Sequence, residues 1–296
     1  MKQLVVLSGK GGTGKTTVAA AFAHLASQEA AIVMADADVD AANLELVLAP
    51  TVLESHEFVG GKVAHIDPER CVACGTCMEV CRFEAVHPPE EVPFRSHYSI
   101  DPIACEGCAA CYYQCPEGAI RMEERVSGRW FRSETRFGPL FHAHLFAAEE
   151  NSGKLVTEVK QAARQLALDQ GAEYLIVDGP PGIGCPVIAA SAGADLALLV
   201  VEPTVSGVHD LERALSTTEH FKVPSLICIN KYDINPTRTR EIEDFCARRG
   251  VEVIARIPFD TVVTEAMVQG RVVTEYTDGT VSAELRRAWE QVRAKR

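Results

Sequence analysis

Two runs of four cysteines with identical spacing constrain this chain more than any other feature. Each run reads C-x2-C-x2-C-x3-C, and the second follows the first at an offset of 34 residues. The flanks repeat at the same offset, since Ile66-Asp67-Pro68 returns as Ile100-Asp101-Pro102. A unit of this length cannot bury a core alone, so the two copies are expected to fold as one pseudo-symmetric pair. The eight residues are Cys71, Cys74, Cys77, Cys81, Cys105, Cys108, Cys111 and Cys115.

The spacing favours iron–sulfur clusters. Cysteines at i, i+3 and i+6 on a tight loop can present three thiolates to one cluster, and the fourth, predicted to lie already in a helix, points toward the other copy. Pairs of the C-x2-C type also bind zinc. Zinc, however, gives no reason for a third cysteine at i+6 in both copies.

Residues 62–125 resemble the two-cluster bacterial ferredoxins. The resemblance implies two [4Fe–4S] clusters and low-potential, one-electron chemistry. It also implies crossed ligand sets: Cys71, Cys74, Cys77 and Cys115 for one cluster, and Cys105, Cys108, Cys111 and Cys81 for the other. The first run departs from the pattern, because Arg82 stands where Pro116 follows the second run. Gly75, Gly107 and Gly118 fit loops in which the backbone approaches a cluster closely.

A glycine-rich loop opens the chain. Residues 9–16 read GKGGTGKT and lie between a predicted strand (3–8) and a predicted helix (14–28), as a phosphate-binding loop requires. Lys15 is expected to reach the β- and γ-phosphates and Thr16 to bind Mg2+. The predicted nucleotide-binding residues of this segment are Gly9, Gly11, Gly12, Thr13, Gly14, Lys15, Thr16 and Thr17.

Strands alternate with helices along most of the chain. Further strands are predicted at 31–36, 174–178, 196–202, 225–230 and 252–257, and helices at 153–169, 186–192, 207–221 and 237–249. This alternation predicts an α/β fold, a parallel-sheet P-loop NTPase with ligands at the carboxyl ends of its strands. It breaks between about 58 and 150. We therefore expect an ATPase domain (1–58 and 141–296), an inserted α+β ferredoxin-like domain (59–126) and bridging strands (127–140).

The loop carries a second lysine, Lys10, and in this deviant form resembles the MinD/ParA/Mrp ATPases, which include the nitrogenase iron protein. The match covers most of 1–50 and 150–275. It implies that the chain forms a homodimer on ATP binding, in which Lys10 reaches the partner's phosphates. The run Asp36-Ala37-Asp38-Val39-Asp40 with Asn43 resembles the first switch, where Asp38 orients the attacking water. Val177-Asp178-Gly179-Pro180-Pro181-Gly182 resembles the second, with Asp178 near Mg2+.

The base-binding segment is ambiguous. Asn230-Lys231-Tyr232-Asp233 matches the N-K-x-D pattern by which GTPases bind guanine. The ATPase family also places an asparagine here, which makes Asn230 and, in the following strand, Pro258 candidate contacts of adenine. The resemblance over the whole chain favours ATP over GTP.

Three cysteines lie outside the two runs. Cys228 and Cys246 fall in a predicted strand and helix and are expected to be buried. Cys185 follows Asp178 by seven residues at a predicted helix N-terminus. We hypothesise that two such thiols, facing each other in a dimer, form a labile metal or cluster-transfer point; the alternative is a free cysteine.

Charge and hydropathy restrict the partners. A formal net charge of −12 argues against a nucleic-acid partner, and no apolar run is long enough to cross a membrane. A cytoplasmic protein is expected, whose partner is a redox protein or a small metal-cofactor protein. The first reading is an ATPase, slow without its partner, that couples nucleotide state to electron transfer or metallocluster assembly. The alternative is a carrier or scaffold for iron–sulfur clusters, whose nucleotide state times the binding and release of its partner. A third possible function, that of an ATPase that positions other molecules, would leave the eight cysteines without a role.

Overall fold

The computed structural model describes residues 1–89, 97–146, 149 and 152–295. Within them the chain forms two compact units. The larger comprises Met1–His56, Arg129–His144 and Ser152–Arg296, and the smaller comprises Glu57–Gly128 and Leu145–Asn151. The sequence-based division placed the first boundary at 58/59, two residues later than the structure, and set 127–140 apart as bridging strands. In the structure residues 129–144 belong to the larger unit.

The secondary structure follows the expected alternation. The strands are β1 (Lys2–Ser8), β2 (Ile32–Asp36), β3 (Thr51–Ile66), β4 (Val86–His87), β5 (Ser99–Ile100), β6 (Ile120–Thr135), β7 (Gly138–Leu145), β8 (Tyr174–Pro181), β9 (Leu196–Val201), β10 (Ser225–Asn230) and β11 (Glu252–Ile257). The helices are α1 (Lys15–Ser27), α2 (Leu44–Leu48), α3 (Thr76–Val80), α4 (Ala110–Gln114), α5 (Ser152–Asp169), α6 (Cys185–Ser191), α7 (Gly207–His220), α8 (Pro236–Arg249), α9 (Val262–Val268), α10 (Val273–Tyr276) and α11 (Thr280–Ala294).

The larger unit is built on a mainly parallel sheet. Hydrogen-bonded strands follow the order β11-β10-β9-β1-β8-β2-β7-β6-β3. The pairs β1/β8, β1/β9, β9/β10, β10/β11, β2/β8 and β2/β7 are all parallel. The predicted α/β class and its parallel sheet are therefore confirmed. The long strand β3 was not predicted from the sequence.

Small and apolar side chains explain the core of this unit. Strand β1 is buried from Gln3 to Ser8, as its apolar run LVVL predicts for a central strand covered on both faces. Helix α1 is alanine-rich and buried along most of its length, which lets it lie close to the sheet. The final helix, α11, is packed, with Trp289 5.4 Å from the ring of Phe22 and 5.1 Å from that of Tyr174. No helix in the described part of the chain is long and apolar enough to cross a bilayer.

The smaller unit is a pair of interlocked repeats. The backbone N–H of Asp67 in the first copy donates to the carbonyl of Ala119 in the second, at 2.7 Å. The N–H of Asp101 in the second copy donates to Ala85 in the first, at 2.8 Å. Strands β4 and β5 pair antiparallel between the copies. The 34-residue repeat in the sequence therefore corresponds to reciprocal pairing in the fold.

Backbone conformations in the smaller unit repeat at the same offset. Left-handed φ angles occur at Ala73 and Gly107 (55° and 62°) and at Gly75 and Ala109 (84° and 62°). They also occur at Glu84 and Gly118, at 52° and 56°. One member of each pair is glycine, which adopts this conformation without strain, and the other is not.

One prediction about the cysteine runs is wrong. The fourth cysteine of each run does not lie in a helix: Cys81 and Cys115 come directly after α3 and α4, in extended conformation. The third cysteines, Cys77 and Cys111, are the helical ones, and both are buried. Each of the two helices ends after five residues, directly before the fourth cysteine of its run.

Candidate nucleotide site and cysteine sites

The glycine-rich loop joins β1 to α1 at the carboxyl edge of the sheet. Gly14 precedes the helix with a φ of 93°, and a Cβ atom there would lie 2.4 Å from Asn230 Nδ2. Only glycine fits this position, because the backbone is left-handed and the amide is close. Gly9 serves packing instead, since a Cβ at Gly9 would lie 2.3 Å from the carbonyl oxygen of Asp210 in α7.

A cavity of about 710 Å3 opens beside this loop. Most of the predicted nucleotide-site residues come together in it, whereas Gly9, Lys10, Thr13 and Asp178 do not line it. The lining includes Gly11, Gly12, Gly14, Lys15, Thr16, Thr17, Asp38, Asp40, Asn43, Asn230, Pro258 and Phe259. Its volume lies in the range typical of small-molecule sites. A second cavity of about 780 Å3, lined by Met1, Asp195 and Lys295 among others, lacks the glycine-rich loop.

Two buried carboxylates lie next to each other, and one of them, Asp178, is close to the Thr16 hydroxyl. Asp36 of β2 and Asp178 of β8 are register partners in adjacent parallel strands, and they are 0% and 1% exposed. Asp36 accepts backbone N–H bonds from Asp38 and Leu44. Neither oxygen of Asp178 meets the geometry of a hydrogen bond among the described residues, although the Thr16 hydroxyl is near enough to lower the pKa of Asp178. Strand β8 continues to Pro181, so Asp178 lies inside the strand rather than at its end.

Burial sets the protonation of this pair. It raises the pKa of Asp178 to about 7, against the opposing effects of the Thr16 hydroxyl and the Lys15 ammonium. It also raises the pKa of Asp36 well above its usual value, and the Asp178 charge raises it further. For Asp38 burial again raises the pKa, while Lys15 lowers it. Carboxylate and hydroxyl oxygens are the ligands that Mg2+ prefers, so the unpartnered Asp178 oxygens and Thr16 fit a magnesium ion.

The predicted base-contacting residues Asn230 and Pro258 both line the cavity. Asn230 Nδ2 donates to the carbonyl of Thr13 at 2.7 Å, which joins β10 to the phosphate loop. The Asp233 carboxylate accepts the backbone N–H of Phe259 at 2.8 Å, which joins the two predicted base-contacting segments. One Asp233 oxygen is therefore engaged within the protein.

One carboxylate near the nucleotide site, Glu202, was not predicted from the sequence. It pairs with Lys10 of the glycine-rich loop and with Lys231, which follows β10. Glu202 Oε1 lies 2.8 Å from Lys231 Nζ, and its Oε2 lies 3.8 Å from Lys10 Nζ. Lys10 also donates to the Thr204 hydroxyl at 3.0 Å. The only signal in the sequence is an acidic residue directly after the apolar strand β9, which is too common a pattern to have identified it.

The eight repeated cysteines line two small cavities of the smaller unit. Cys71, Cys74, Cys77 and Cys115 line one, together with Tyr98. Cys81, Cys105, Cys108 and Cys111 line the other. Each cavity thus receives three cysteines of one run and the fourth of the other. The backbone N–H of Ala119 points at Cys115 Sγ, at 3.3 Å.

The sulfur positions do not fit single zinc ions. With Zn–S bonds of about 2.3 Å, the sulfurs of a tetrahedral site lie about 3.8 Å apart. In the described part of the chain, no three cysteine sulfurs lie within 4.8 Å of one another. Wider spacing suits a polynuclear cluster, in which each thiolate binds a different iron.

The remaining cysteines divide as expected by burial. Cys228 and Cys246 are 0% and 2% exposed. Cys185 is exposed and is the first residue of α6, where Gly153 of α5 approaches it: a Cβ at Gly153 would lie 3.1 Å from Cys185 Cβ. The hypothesis of a dimer-interface metal point at Cys185 stays a prediction.

Comparison of the sequence with known protein families also indicates a nucleotide-binding domain. The family model of the CobQ/CobB/MinD/ParA nucleotide binding domain matches residues 4–273. The chain belongs to this family. An uncharacterized protein of Methanocaldococcus jannaschii is 32% identical over 291 residues, which are 98% of this chain and 96% of the relative. The septum site-determining protein MinD of Bacillus subtilis is 25% identical over 163 residues, 53% of this chain and 58% of that protein.

Solved structures show the same fold. The MinD cell division protein of Aquifex aeolicus matches with a TM-score of 0.58 at 19% identity, covering 100% of this chain and 98% of that one. MinD from Pyrococcus horikoshii, solved with Mg-ADP, matches with a TM-score of 0.57 at 17% identity, covering 99% and 96%. A ferredoxin of Saccharopolyspora erythraea is 42% identical over 36 residues, which are 12% of this chain and 34% of the ferredoxin. The chain thus has the P-loop NTPase fold of MinD/ParA type and its nucleotide-binding function.

Proposed function

We propose that this chain is an ATP-hydrolysing iron–sulfur protein, which couples its nucleotide state to electron transfer or metallocluster assembly on a partner. The observation that carries the proposal is the crossed arrangement of cysteines, in which each cavity of the smaller unit receives three from one run and one from the other. Eight thiols placed this way in a MinD/ParA-family chain have no use in nucleotide hydrolysis. They do provide two complete sets of four ligands for [4Fe–4S] clusters.

In the larger unit the protein's own groups account for nucleotide binding. Backbone N–H groups of the loop and the N-terminus of α1 would bind the phosphates, and Lys15 would neutralise their charge. Thr16 and Asp178 would hold Mg2+, and Asp36 would support them by fixing the chain at Asp38 and Leu44. Asp38 would orient the attacking water. By family resemblance, Lys10 leaves Glu202 and reaches the phosphates of a second chain when a homodimer forms.

In the smaller unit the protein shapes the environment of the clusters. When bound, [4Fe–4S] clusters supply one-electron transfer at low potential. Cys77 and Cys111 are buried, whereas Cys74 and Cys108 are exposed, so each site has one side turned to solvent. An electron partner can approach on that side. Nucleotide can influence the clusters only by the difference in its affinity for two conformations of the chain.

The exposed pair also supports the second candidate function. A cluster that is cargo leaves through a ligand that another protein's thiolate can reach, and Cys74 and Cys108 satisfy that condition. In this reading the chain is a carrier whose nucleotide state times the binding and release of its partner. The completeness of both four-cysteine sets favours electron transfer.

Anaerobic redox titration tests the proposal and separates the two functions. Protein purified without oxygen is expected to contain about eight iron atoms per chain, from two four-iron clusters. Electron paramagnetic resonance then gives the midpoint potentials with and without MgATP. A shift of about 30 mV or more, equal to roughly a threefold change in the ratio of nucleotide affinities of the two redox states, indicates coupling.

A matched variant makes the result specific. Lys15→Ala removes the charge that the phosphates need and leaves all eight cysteines, so it should retain the iron and lose the shift. Full iron content with no shift in the wild-type protein would contradict coupling and favour the carrier. Iron and sulfide below one cluster per chain after anaerobic reconstitution would refute both readings.

A further inference from the structure

A cluster of metal-ligating side chains lies away from both sites described so far. Glu45 of α2 and His142 and His144 of β7 each place one ligand atom so that all three atoms lie within 4.8 Å of one another. The two histidines are two residues apart in a strand, so their side chains share one face of the sheet. All three residues belong to the larger unit.

The distances are those of a coordination sphere. Glu45 Oε2 lies 3.1 Å from His142 Nδ1 and 3.5 Å from His144 Nε2. In a tetrahedral site with metal–ligand bonds of about 2.0 to 2.1 Å, the ligand atoms lie about 3.4 Å apart. A single carboxylate oxygen near two imidazole nitrogens therefore matches three corners of such a site.

His142 supplies an independent sign of a missing partner. The residue is 2% exposed, and its Nδ1 has no hydrogen-bond partner in the described part of the chain. Glu45 Oε2 lies 3.1 Å from this nitrogen, and the two form an ion pair only when the imidazole is protonated. A buried ring nitrogen without a partner costs free energy, and an ion seated between the three atoms removes that cost.

The other ring nitrogen of His142, Nε2, already has a hydrogen-bond partner. Its Nε2 lies 2.9 Å from the hydroxyl of Ser133 in β6, which is 0% exposed. Phe131 stacks against the ring at 5.2 Å between centroids. Metal-binding histidines characteristically have the second nitrogen fixed in this way, which orients the first toward the ion.

We propose that Glu45, His142 and His144 bind one divalent transition-metal ion, for which Zn2+ is the natural probe. Two imidazoles and one carboxylate are a ligand set that Zn2+ accepts, with a fourth position left for water. His144 is half-exposed, so the ion can enter from solvent.

The site has a direct connection to the nucleotide pocket. Glu45 follows Leu44, whose backbone N–H donates to the buried carboxylate of Asp36 at 3.0 Å. An ion on Glu45 therefore fixes the start of α2, where the loop carrying Asp38 ends. Occupancy by metal should restrict that loop.

Equilibrium dialysis against Zn2+ tests the proposal. Holoprotein carrying Cys185→Ser, which removes the exposed free thiol, is expected to bind one zinc per chain beyond its iron. Glu45→Gln and His144→Asn should each weaken binding at least tenfold, and Ser133→Ala about tenfold or more. His56→Asn is the control, because His56 is also a half-exposed histidine 3.3 Å from a glutamate but belongs to no group of three ligand residues in the described part of the chain.

Cobalt substitution identifies the ligands. Co2+ at the proposed site should show weak visible bands without the strong thiolate-to-metal absorption of cysteine ligands. Strong thiolate absorption, or zinc retained at wild-type affinity by both Glu45→Gln and His144→Asn, would overturn the assignment. So would the absence of stoichiometric zinc in the wild-type holoprotein.

Discussion

Replacing Asp178 with asparagine should stabilise the protein at neutral pH when magnesium is absent. The buried carboxyl has a pKa raised to about 7, against 3.8 for an ordinary aspartate. Between these values the folded state holds a proton that the unfolded state has lost. The free energy of unfolding therefore decreases as pH rises through this window, and the loss is complete above pH 7.

The size of the effect follows from the shift. One pKa unit corresponds to about 1.4 kcal/mol, so a shift of about three units costs ~4 kcal/mol above pH 7. Roughly 2 to 3 kcal/mol of this develops between pH 5 and pH 7, where the slope is that of one proton. Asparagine has nearly the same shape and does not ionise, so Asp178→Asn should remove this part of the pH dependence.

Urea unfolding at several pH values, without magnesium or nucleotide, measures the effect. Trp130 and Trp289 both lie in the larger unit and report its unfolding by fluorescence. Asp169→Asn is the control, because Asp169 is exposed at the end of α5 and the variant loses the same charge. A variant at position 178 whose stability falls with pH as steeply as the wild type would refute the reasoning. Adding Mg2+ should stabilise the wild type more at pH 8 than at pH 6.

Four further predictions concern single residues. Gly14→Ala should abolish nucleotide binding in calorimetry, because its Cβ would lie 2.4 Å from Asn230 Nδ2 in a left-handed backbone. Lys10→Ala should bind ADP normally but fail to dimerise with a non-hydrolysable ATP analogue, as measured by light scattering. Lys160→Met should lose about 1 to 3 kcal/mol in urea unfolding, because the buried ammonium bonds carbonyls at the end of α6. Glu84→Gly should raise the melting temperature of the holoprotein, because glycine adopts the φ of 52° at this position without the strain of about 1 kcal/mol that glutamate has there. An unchanged or lower melting temperature would count against that strain.

Local signals in the sequence were enough for the parallel strands β1, β2 and β8 to β11 of the larger unit. Apolar runs such as LVVL and LALLVV indicate buried strands wherever they occur, and the glycine loop fixes what lies between the first strand and helix. Strand β3 was missed because its first seven residues are exposed and Gly60-Gly61 interrupts it. Its extended conformation depends on pairing with β6 rather than on its own composition.

The site residues differ in the same way: some carry a local sequence signal, and others come together only in the folded chain. Asp36 and Asp178 were identified because each belongs to a recognisable run of residues in or after an apolar strand. Glu45 and His142 were not, because they are 97 residues apart in sequence and meet only through the packing of α2 against the sheet. Glu202 likewise acquires its role from two lysines that come from other loops.

The reciprocal main-chain bonds in the smaller unit make each copy depend on the other. Asp67 of one copy bonds Ala119 of the other, and Asp101 bonds Ala85 in return. Deleting either copy would therefore leave open main-chain groups in the survivor, along with a cavity short of its fourth cysteine. Cleavage or oxidation of either copy is therefore expected to disturb the cysteine cavities of both.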